Sequence, residues 1–334
     1  MDTCNLSGHR YLQLFFFMEK GISVVICCYN SCWIIARCLD ALLRQRVGKD
    51  VKWEIVLVDN LCTDTTVDIA LDILSRGAVD YSIIEEDTPG LLNARVAGVK
   101  KAKYSYIIFC DDDNLLSDNY VDGMFRIMEA NPEVGACGGR GIAEFQAEPH
   151  PMVVECIGNY AIGSQKGSTM SLFGAGLCVR RDVTLRLYIQ GGFILTGRCG
   201  DVLLAGDDGE LVKRIILCGY KITSTDELTF IHVLAARRLT LDYLLKMQEG
   251  FGMSNVVLYV YDTAILGRSC IFLYVNKVEY YLRLIKNILF GGKKRYVNIN
   301  CSRGVIKGYR FWGMKRLNDL LKMLEKEKHG CNCY

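Results

Sequence analysis

Long hydrophobic runs are missing from this sequence of 334 residues. Its most apolar region, about Leu258 to Phe290, is interrupted by Arg268, Lys277, Glu279, Arg283 and Lys286. No uninterrupted stretch is long enough for a transmembrane helix. Net charge is also scarce. A formal +3 is nearly neutral for this length and gives no whole-chain argument for nucleic acid as a partner. Histidine is limited to four residues, which constrains any His-rich metal site. No Walker A sequence is present, and no G-x-G-x-x-G follows the first apolar strand. ATPase and dehydrogenase readings thereby lose their main support. Internal repeats are absent as well.

What is present is a chain able to bury a large core. Hydrophobic residues make up 51% of it, which argues against low-complexity disorder. The length suits one large α/β unit. Sixteen cysteines are scattered, and Cys27, Cys28 and Cys110 sit inside apolar runs. The expectation is reduced, buried thiols acting as small hydrophobes. Cys331-Asn332-Cys333 lacks the second pair that a zinc site needs. Tyr11 to Met18 is a short apolar patch with three consecutive Phe. It is too short to span a bilayer and lacks a small-residue cleavage site. Residues 1–20 are expected to be an extension, either disordered or preceding a true start at Met18.

Strand and helix patterns alternate along the first third. Ile22 to Cys28 reads as a strand buried on both faces, broken by Tyr29-Asn30-Ser31. Cys32 to Leu43 has helical spacing. Trp53 to Val58 is a second buried strand ending at Asp59-Asn60, followed by a helix over about Thr65 to Leu74. A short strand at Tyr81 to Ile84, a helix at Leu91 to Lys100 and a strand at Tyr106 to Cys110 come next. This order predicts an α/β class with a mostly parallel sheet. Its polar residues arrive at strand ends, where open α/β sheets bind ligands. After about Gly135 the pattern is mixed, with several Gly-rich turns. A helix is expected over Gly209 to Cys218, a strand over Thr229 to Val233 and a final helix over about Tyr309 to Lys328.

Asp111-Asp112-Asp113 closes the strand that ends at Cys110. Clustered carboxylates are costly unless a positive group neutralises them. Mg²⁺ or Mn²⁺ there would take one or two carboxylates together with phosphate oxygens and water. The plain alternative is an acidic turn that caps the next helix. An EF-hand is excluded, because Leu115 and Leu116 fall where that loop needs an oxygen ligand and Gly. Asp207, Asp208 and Glu210 form a second acidic cluster. One of them can serve as a general base if it faces the same cleft, or all three can simply suit a helix N-terminus. His232 at a strand end is either a third metal ligand or structural.

The order of these pieces resembles family 2 glycosyltransferases. Ile22 to Asn30 resembles the family's first strand and its T/P-x-Y-N-like turn. Glu54 to Asn60 with Thr63-Asp64-Thr65-Thr66 is similar to its E-I-I-V-V-D-N-x-S-T-D-x-T segment, and Gly90 to Arg95 to its G-x-x-x-A-R-N segment. Phe109 to Asp113 resembles the DxD metal motif. Gly206 to Leu211, with Arg214 and Gly219-Tyr220, resembles G-E-D-x-E-L…R…G-Y. The resemblance covers roughly Gly21 to His232 and continues through His232 to Leu239 and Tyr243 to Gly252 toward bacterial polysaccharide-type members. Three departures stand out: Asp207 replaces the usual Glu, Val96 the usual Asn, and Cys28 a common Thr.

The resemblance implies a GT-A fold: a Rossmann-like, mostly parallel sheet flanked by helices. A catalytic domain over 21–250 and a helical, basic C-terminal extension over 251–334 are expected. It implies donor contacts from Cys28, Tyr29, Asn30, Asp59, Arg95 and Asp112. Asp111, Asp113 and His232 would serve Mn²⁺ or Mg²⁺, with Asp113 foremost as a direct ligand. Asp208 would take the acceptor proton, with Gly176, Asp207 and Glu210 on the acceptor side. The implied reaction is inverting transfer from a UDP-, GDP- or dTDP-linked sugar to a glycan or lipid-linked acceptor, in the cytoplasm or at the inner face of the cell membrane. Two rivals remain: a sugar nucleotidyltransferase, and a non-catalytic nucleotide-sugar-binding scaffold in an envelope polysaccharide assembly complex. The C-terminal region either lies on an anionic membrane surface or packs as a helical cap. Oligomeric state is open.

Overall fold

The computed structural model describes residues 19–197 and 205–330. Eight strands form one sheet: β1 (Glu19–Cys28), β2 (Trp53–Asp59), β3 (Asp80–Glu85), β4 (Tyr104–Asp111), β5 (Asn114–Leu116), β6 (Val134–Phe145), β7 (Leu177–Arg180) and β8 (Lys221–Leu234). Their order is β3-β2-β1-β4-β7-β6-β8-β5. The β3-β2-β1-β4 half is parallel. The other half is mixed, since β7 runs antiparallel to β4 and β6, and β5 antiparallel to β8. The sheet expected to be mostly parallel is so through the β3-β2-β1-β4 half and again at β6–β8, with antiparallel pairings at β7 and β5.

Period-two alternation sorts the strand side chains into two cores. Ile22, Val24 and Ile26 of β1 pack on one face with α1 (Ile35–Leu43), α2 (Thr66–Leu74) and α4 (Tyr120–Ala130). Val25 and, from β4, Ile107 and Phe109 pack on the other. That face is covered by α3 (Leu91–Lys101), α6 (Arg181–Gln190) and α7 (Asp207–Leu217), the short α5 (Pro151–Glu155) lying elsewhere. Each fully buried Val, Leu or Ile contributes roughly 1.5–3 kcal/mol, so these two layers supply most of the driving force.

Four helices follow: α8 (Leu241–Ile265), α9 (Ile271–Phe290), α10 (Arg295–Trp312) and α11 (Met314–Gly330). The single final helix expected from the sequence is two, broken at Gly313 with φ 73°. The expected boundary at 250–251 falls inside the continuous helix α8. Its residues Val256, Val257 and Val260 share a core with Leu195 and Leu217 of the sheet-bearing part and with Val305, Tyr309 and Leu321. Helices α8 and α10 approach closely. A Cβ on Gly304 would lie 2.1 Å from the Glu249 carbonyl oxygen. Among the described residues no helix is long and apolar enough to cross a membrane.

Candidate functional site

Register builds the site. Cys28 pairs with Asp59 and Cys27 with Asp111, so β1, β2 and β4 end level along one sheet edge. The loops leaving these strands are tied together. Asn30, in the left-handed region with φ 51°, accepts through Oδ1 from the Thr63 N–H at 2.8 Å. The Ser31 N–H donates to Thr66 Oγ1 at 2.8 Å, and the Cys32 N–H to Asp64 Oδ2 at 3.2 Å. Asp59 Oδ1 accepts from the Cys62 N–H at 2.8 Å. Asn60 fixes the next loop: its amide donates to the Glu86 and Thr88 carbonyls at 2.8 Å each. The Tyr29 ring stands out from this edge, 64% exposed. Cys28 is corrected as a donor contact. Its side chain is buried and its carbonyl already accepts from the Asn60 N–H at 3.0 Å. Burial, then the Asp113 charge, pushes the Asp112 carboxyl up to about 7.

Asp113 and His232 meet across the β5–β8 pairing, in which Asn114 lies opposite His232. His232 Nε2 is 3.3 Å from Asp113 Oδ2. Its Nδ1 is 2.8 Å from the Tyr160 carbonyl oxygen, which can only accept. In the tautomer with its proton on Nδ1, the ring leaves Nε2 as an acceptor beside Asp113. Between these two acceptors lies Arg238. Its Nη1 is 3.1 Å from Asp113 Oδ2 and 3.1 Å from His232 Nε2. Arg238 is buried, and its Nε has no hydrogen-bond partner among the described residues.

This donor set fits a small divalent cation. Two ligands on adjacent octahedral positions at about 2.1 Å stand roughly 3 Å apart, close to the Asp113–His232 separation. Among the described residues no three of His, Cys, Asp and Glu converge on such a site. Asp113 and His232 are thus a two-donor platform, and Asp111 has one carboxylate oxygen near Arg95, 3.6 Å from Nη2.

Arg95 organises the second acidic cluster. It is buried, with Nη1 2.7 Å from Asp207 Oδ2 and its guanidinium over the Phe109 ring. Burial pulls the Arg95 pKa down, but Asp207 and Asp111 outweigh it and hold the group charged. Burial pushes the Asp207 carboxyl up to about 6, with Arg95 opposing. A nucleotide-facing Arg95 is therefore corrected: the guanidinium is an internal counter-ion joining the end of β4 to the start of α7. Asp208 next door is half-buried. It accepts from the Gly174 N–H through Oδ2 and from the Gly209 N–H through Oδ1, each at 2.8 Å.

Residues 23–168 match the sequence profile of Glycosyl transferase family 2. Over that stretch the chain is similar to family 2 glycosyltransferases. The poly(ribitol-phosphate) beta-glucosyltransferase of Bacillus spizizenii is 28% identical over 180 residues, 51% of this chain and 27% of that protein. The chain spans about a third or less of the length of the first curated relatives it matches. In the solved structures, the Pyrobaculum calidifontis mannosyltransferase PcManGT in complex with GDP-Man and Mn²⁺ aligns with TM-score 0.52 and 16% identity, over 92% of this chain and 74% of that one. S. aureus TarS 1-349 in complex with UDP-GlcNAc aligns with TM-score 0.52 and 14% identity, over 93% and 89%. The curled mixed sheet with flanking helices is the GT-A fold.

Two residues expected on the acceptor side are held inside the fold. Glu210 is fully buried. It accepts from the Ile194 N–H at 3.0 Å, the Leu195 N–H at 2.7 Å and the Tyr261 hydroxyl at 2.6 Å, so it anchors a loop and α8. Gly176, with φ 66°, packs under Tyr120, whose hydroxyl donates to its carbonyl at 2.7 Å. Gly174 is the glycine that reaches the acidic cluster: a Cβ there would lie 2.8 Å from Asp208 Oδ2 and 3.0 Å from Arg95 Nη2. Gly174, Asn60, Asp64 and Arg238 were given no role in the sequence reading, although Asn60 and Asp64 stand in the second motif and Arg238 lies six residues beyond His232.

Proposed function

We propose that the protein transfers a sugar from a nucleoside-diphosphate donor to a hydroxyl of a glycan or lipid-linked acceptor, with inversion. The observation that carries this reading is the level ending of β1, β2 and β4, with Asp113 and Asp208 both close to that edge. The donor base and ribose would lie along Tyr29, Asn30 and Asp59, whose loops are already cross-braced and need little reorganisation. UDP, GDP and dTDP are the donor carriers the reading allows.

Asp113 and His232 would hold Mn²⁺ or Mg²⁺, which neutralises a departing diphosphate. Without a metal, Arg238 satisfies that pair of acceptors; with one bound, it would stand beside the site as a further cation. Asp208 accepts the proton of the acceptor hydroxyl. Each of its oxygens takes one backbone N–H, which fixes its orientation and leaves a second lone pair on each. The acceptor oxygen bonds to the anomeric carbon as the bond to the diphosphate oxygen breaks on the opposite side. With one base and no covalent nucleophile, a single displacement inverts the anomeric centre. Arg95 and Asp207 position Asp208 from behind. The reaction belongs on the cytoplasmic side, where nucleotide sugars are made.

The test is a panel of UDP-, GDP- and dTDP-sugars with Mn²⁺, reading released nucleoside diphosphate. Release from one donor that falls about 10²–10⁴-fold in Asp208→Asn, with donor binding retained, supports the role of Asp208. Equal release by wild type and Asp208→Asn, in the presence of an acceptor, would remove Asp208 as the base.

A further inference from the structure

Helix α9 is the least buried long helix of the fold. Of its 20 residues only Leu273 is fully buried. Ile271, Tyr274, Val275, Val278, Leu282, Ile285 and Leu289 are all exposed and recur at intervals of three and four. They therefore share one face of the helix. The face ends at Phe290, 80% exposed, and Tyr296 beyond the turn is 64% exposed. An uncovered apolar stripe of about 30 Å is far more than scattered surface hydrophobes.

Charge says what fits it. Residues 271–296 hold six cations: Lys277, Arg283, Lys286, Lys293, Lys294 and Arg295. Two carboxylates face them, Glu279 paired with Arg283 and Glu155 paired with Lys293. The excess of four positive charges lies around an apolar stripe, with Lys277 and Lys286 within α9 itself. A second copy laid on this face would bring two such excesses together, an arrangement that costs free energy. An anionic bilayer surface satisfies both features: the stripe enters the acyl boundary and the Lys and Arg heads reach lipid phosphates. The charged positions also keep the helix in the plane of the surface rather than across it, in line with the absence of a spanning helix among the described residues.

We propose that α9 and the turn to Tyr296 form a docking surface for anionic lipid bilayers, holding the protein peripherally on the membrane. The inference rests on the exposed face and stands or falls independently of the transfer reaction.

The experiment is flotation of the full chain with phosphatidylcholine vesicles, with and without phosphatidylglycerol. Partition onto the anionic vesicles is expected to exceed that onto neutral ones by about tenfold and to fall as salt is added. The combined variant Val278→Glu, Leu282→Glu and Leu289→Glu alters exposed positions only. It is expected to stay with the soluble fraction while keeping the wild-type circular dichroism spectrum. Phe290→Trp supplies a direct depth probe, with its emission shifting to the blue on anionic vesicles. No flotation on anionic vesicles, or equal flotation of the triple variant, overturns the proposal. So does a dimer in light scattering that the triple variant splits, since a second copy would then be what covers the face.

Discussion

Arg238 Nη1 stands 3.1 Å from Asp113 Oδ2, and the same nitrogen stands 3.1 Å from His232 Nε2. One guanidinium N–H group thus occupies the space that both acceptors address. Strand pairing fixes the two acceptors, whereas Arg238 arrives from a 3₁₀ turn at Ala236–Arg238.

A divalent cation held as proposed would compete with Arg238 for Asp113 and His232. Hydrogen bonds to a charged group contribute about 1.5–3 kcal/mol, which the metal must displace. Arg238→Ala is expected to bind Mn²⁺ alone roughly tenfold more tightly, read by the loss of free-Mn²⁺ electron paramagnetic resonance signal. Nucleoside diphosphate binding should weaken in the same variant, because a cation beside the phosphates is gone. Weaker Mn²⁺ binding in Arg238→Ala would mean that Arg238 supports the metal site rather than competing for it.

Two neighbouring glycines should separate catalysis from stability. In Gly174→Ala the new methyl meets Asp208 Oδ2 at 2.8 Å and its Cβ at 2.9 Å. The expected result is a fall in kcat of about 10²-fold with the melting temperature little changed, since a shift near 1 Å at the base suffices for such a loss. In Gly176→Ala the methyl meets the Tyr120 hydroxyl at 2.4 Å in a backbone with φ 66°. That variant should lose about 1–3 kcal/mol of stability, measured by denaturant unfolding. A reversal of the two phenotypes would place the acceptor side at Gly176.

The legible half of the fold was the half with short-range signals. β1, β2 and β4 are buried on both faces, so they read as continuous apolar runs, and their acidic ends mark the edge. β6 was illegible because Gly135, Gly138, Gly139 and Gly141 look like turns. They are small because neighbours fill the space: a Cβ on Gly139 would lie 2.4 Å from the Tyr120 hydroxyl oxygen. β8 runs over Lys221–Leu234 rather than the five residues its apolar core suggests, since half of it is carried by pairing with β6. Asp111, Asp113 and Asp208 were candidates that local sequence alone could offer. Arg238 against Asp113 and Gly174 against Asp208 are long-range contacts that no local pattern reports. Glu210 stood among acidic neighbours that all suit a helix start, and only tertiary packing separates it from Asp208.

Glu210 carries a stability prediction. Glu210→Gln leaves the Ile194 and Leu195 N–H groups, the Tyr261 hydroxyl and the nearby Arg214 with a weaker acceptor in a site without water access. A loss of about 1–3 kcal/mol is expected, seen as a lowered unfolding midpoint. Turnover well below that midpoint should stay near wild type. A large loss of turnover with unchanged stability would return Glu210 to the reaction.

The edge formed by β1, β2 and β4 is the proposed donor site. Calorimetric titration of UDP and GDP in the presence of Mn²⁺ tests it most directly, on wild type, Asp113→Ala and Asp208→Asn. Saturable binding of at least one nucleotide to wild type and Asp208→Asn is expected, lost on chelation and in Asp113→Ala. Binding of neither nucleotide to the wild-type protein, or equal binding by Asp113→Ala, would contradict it.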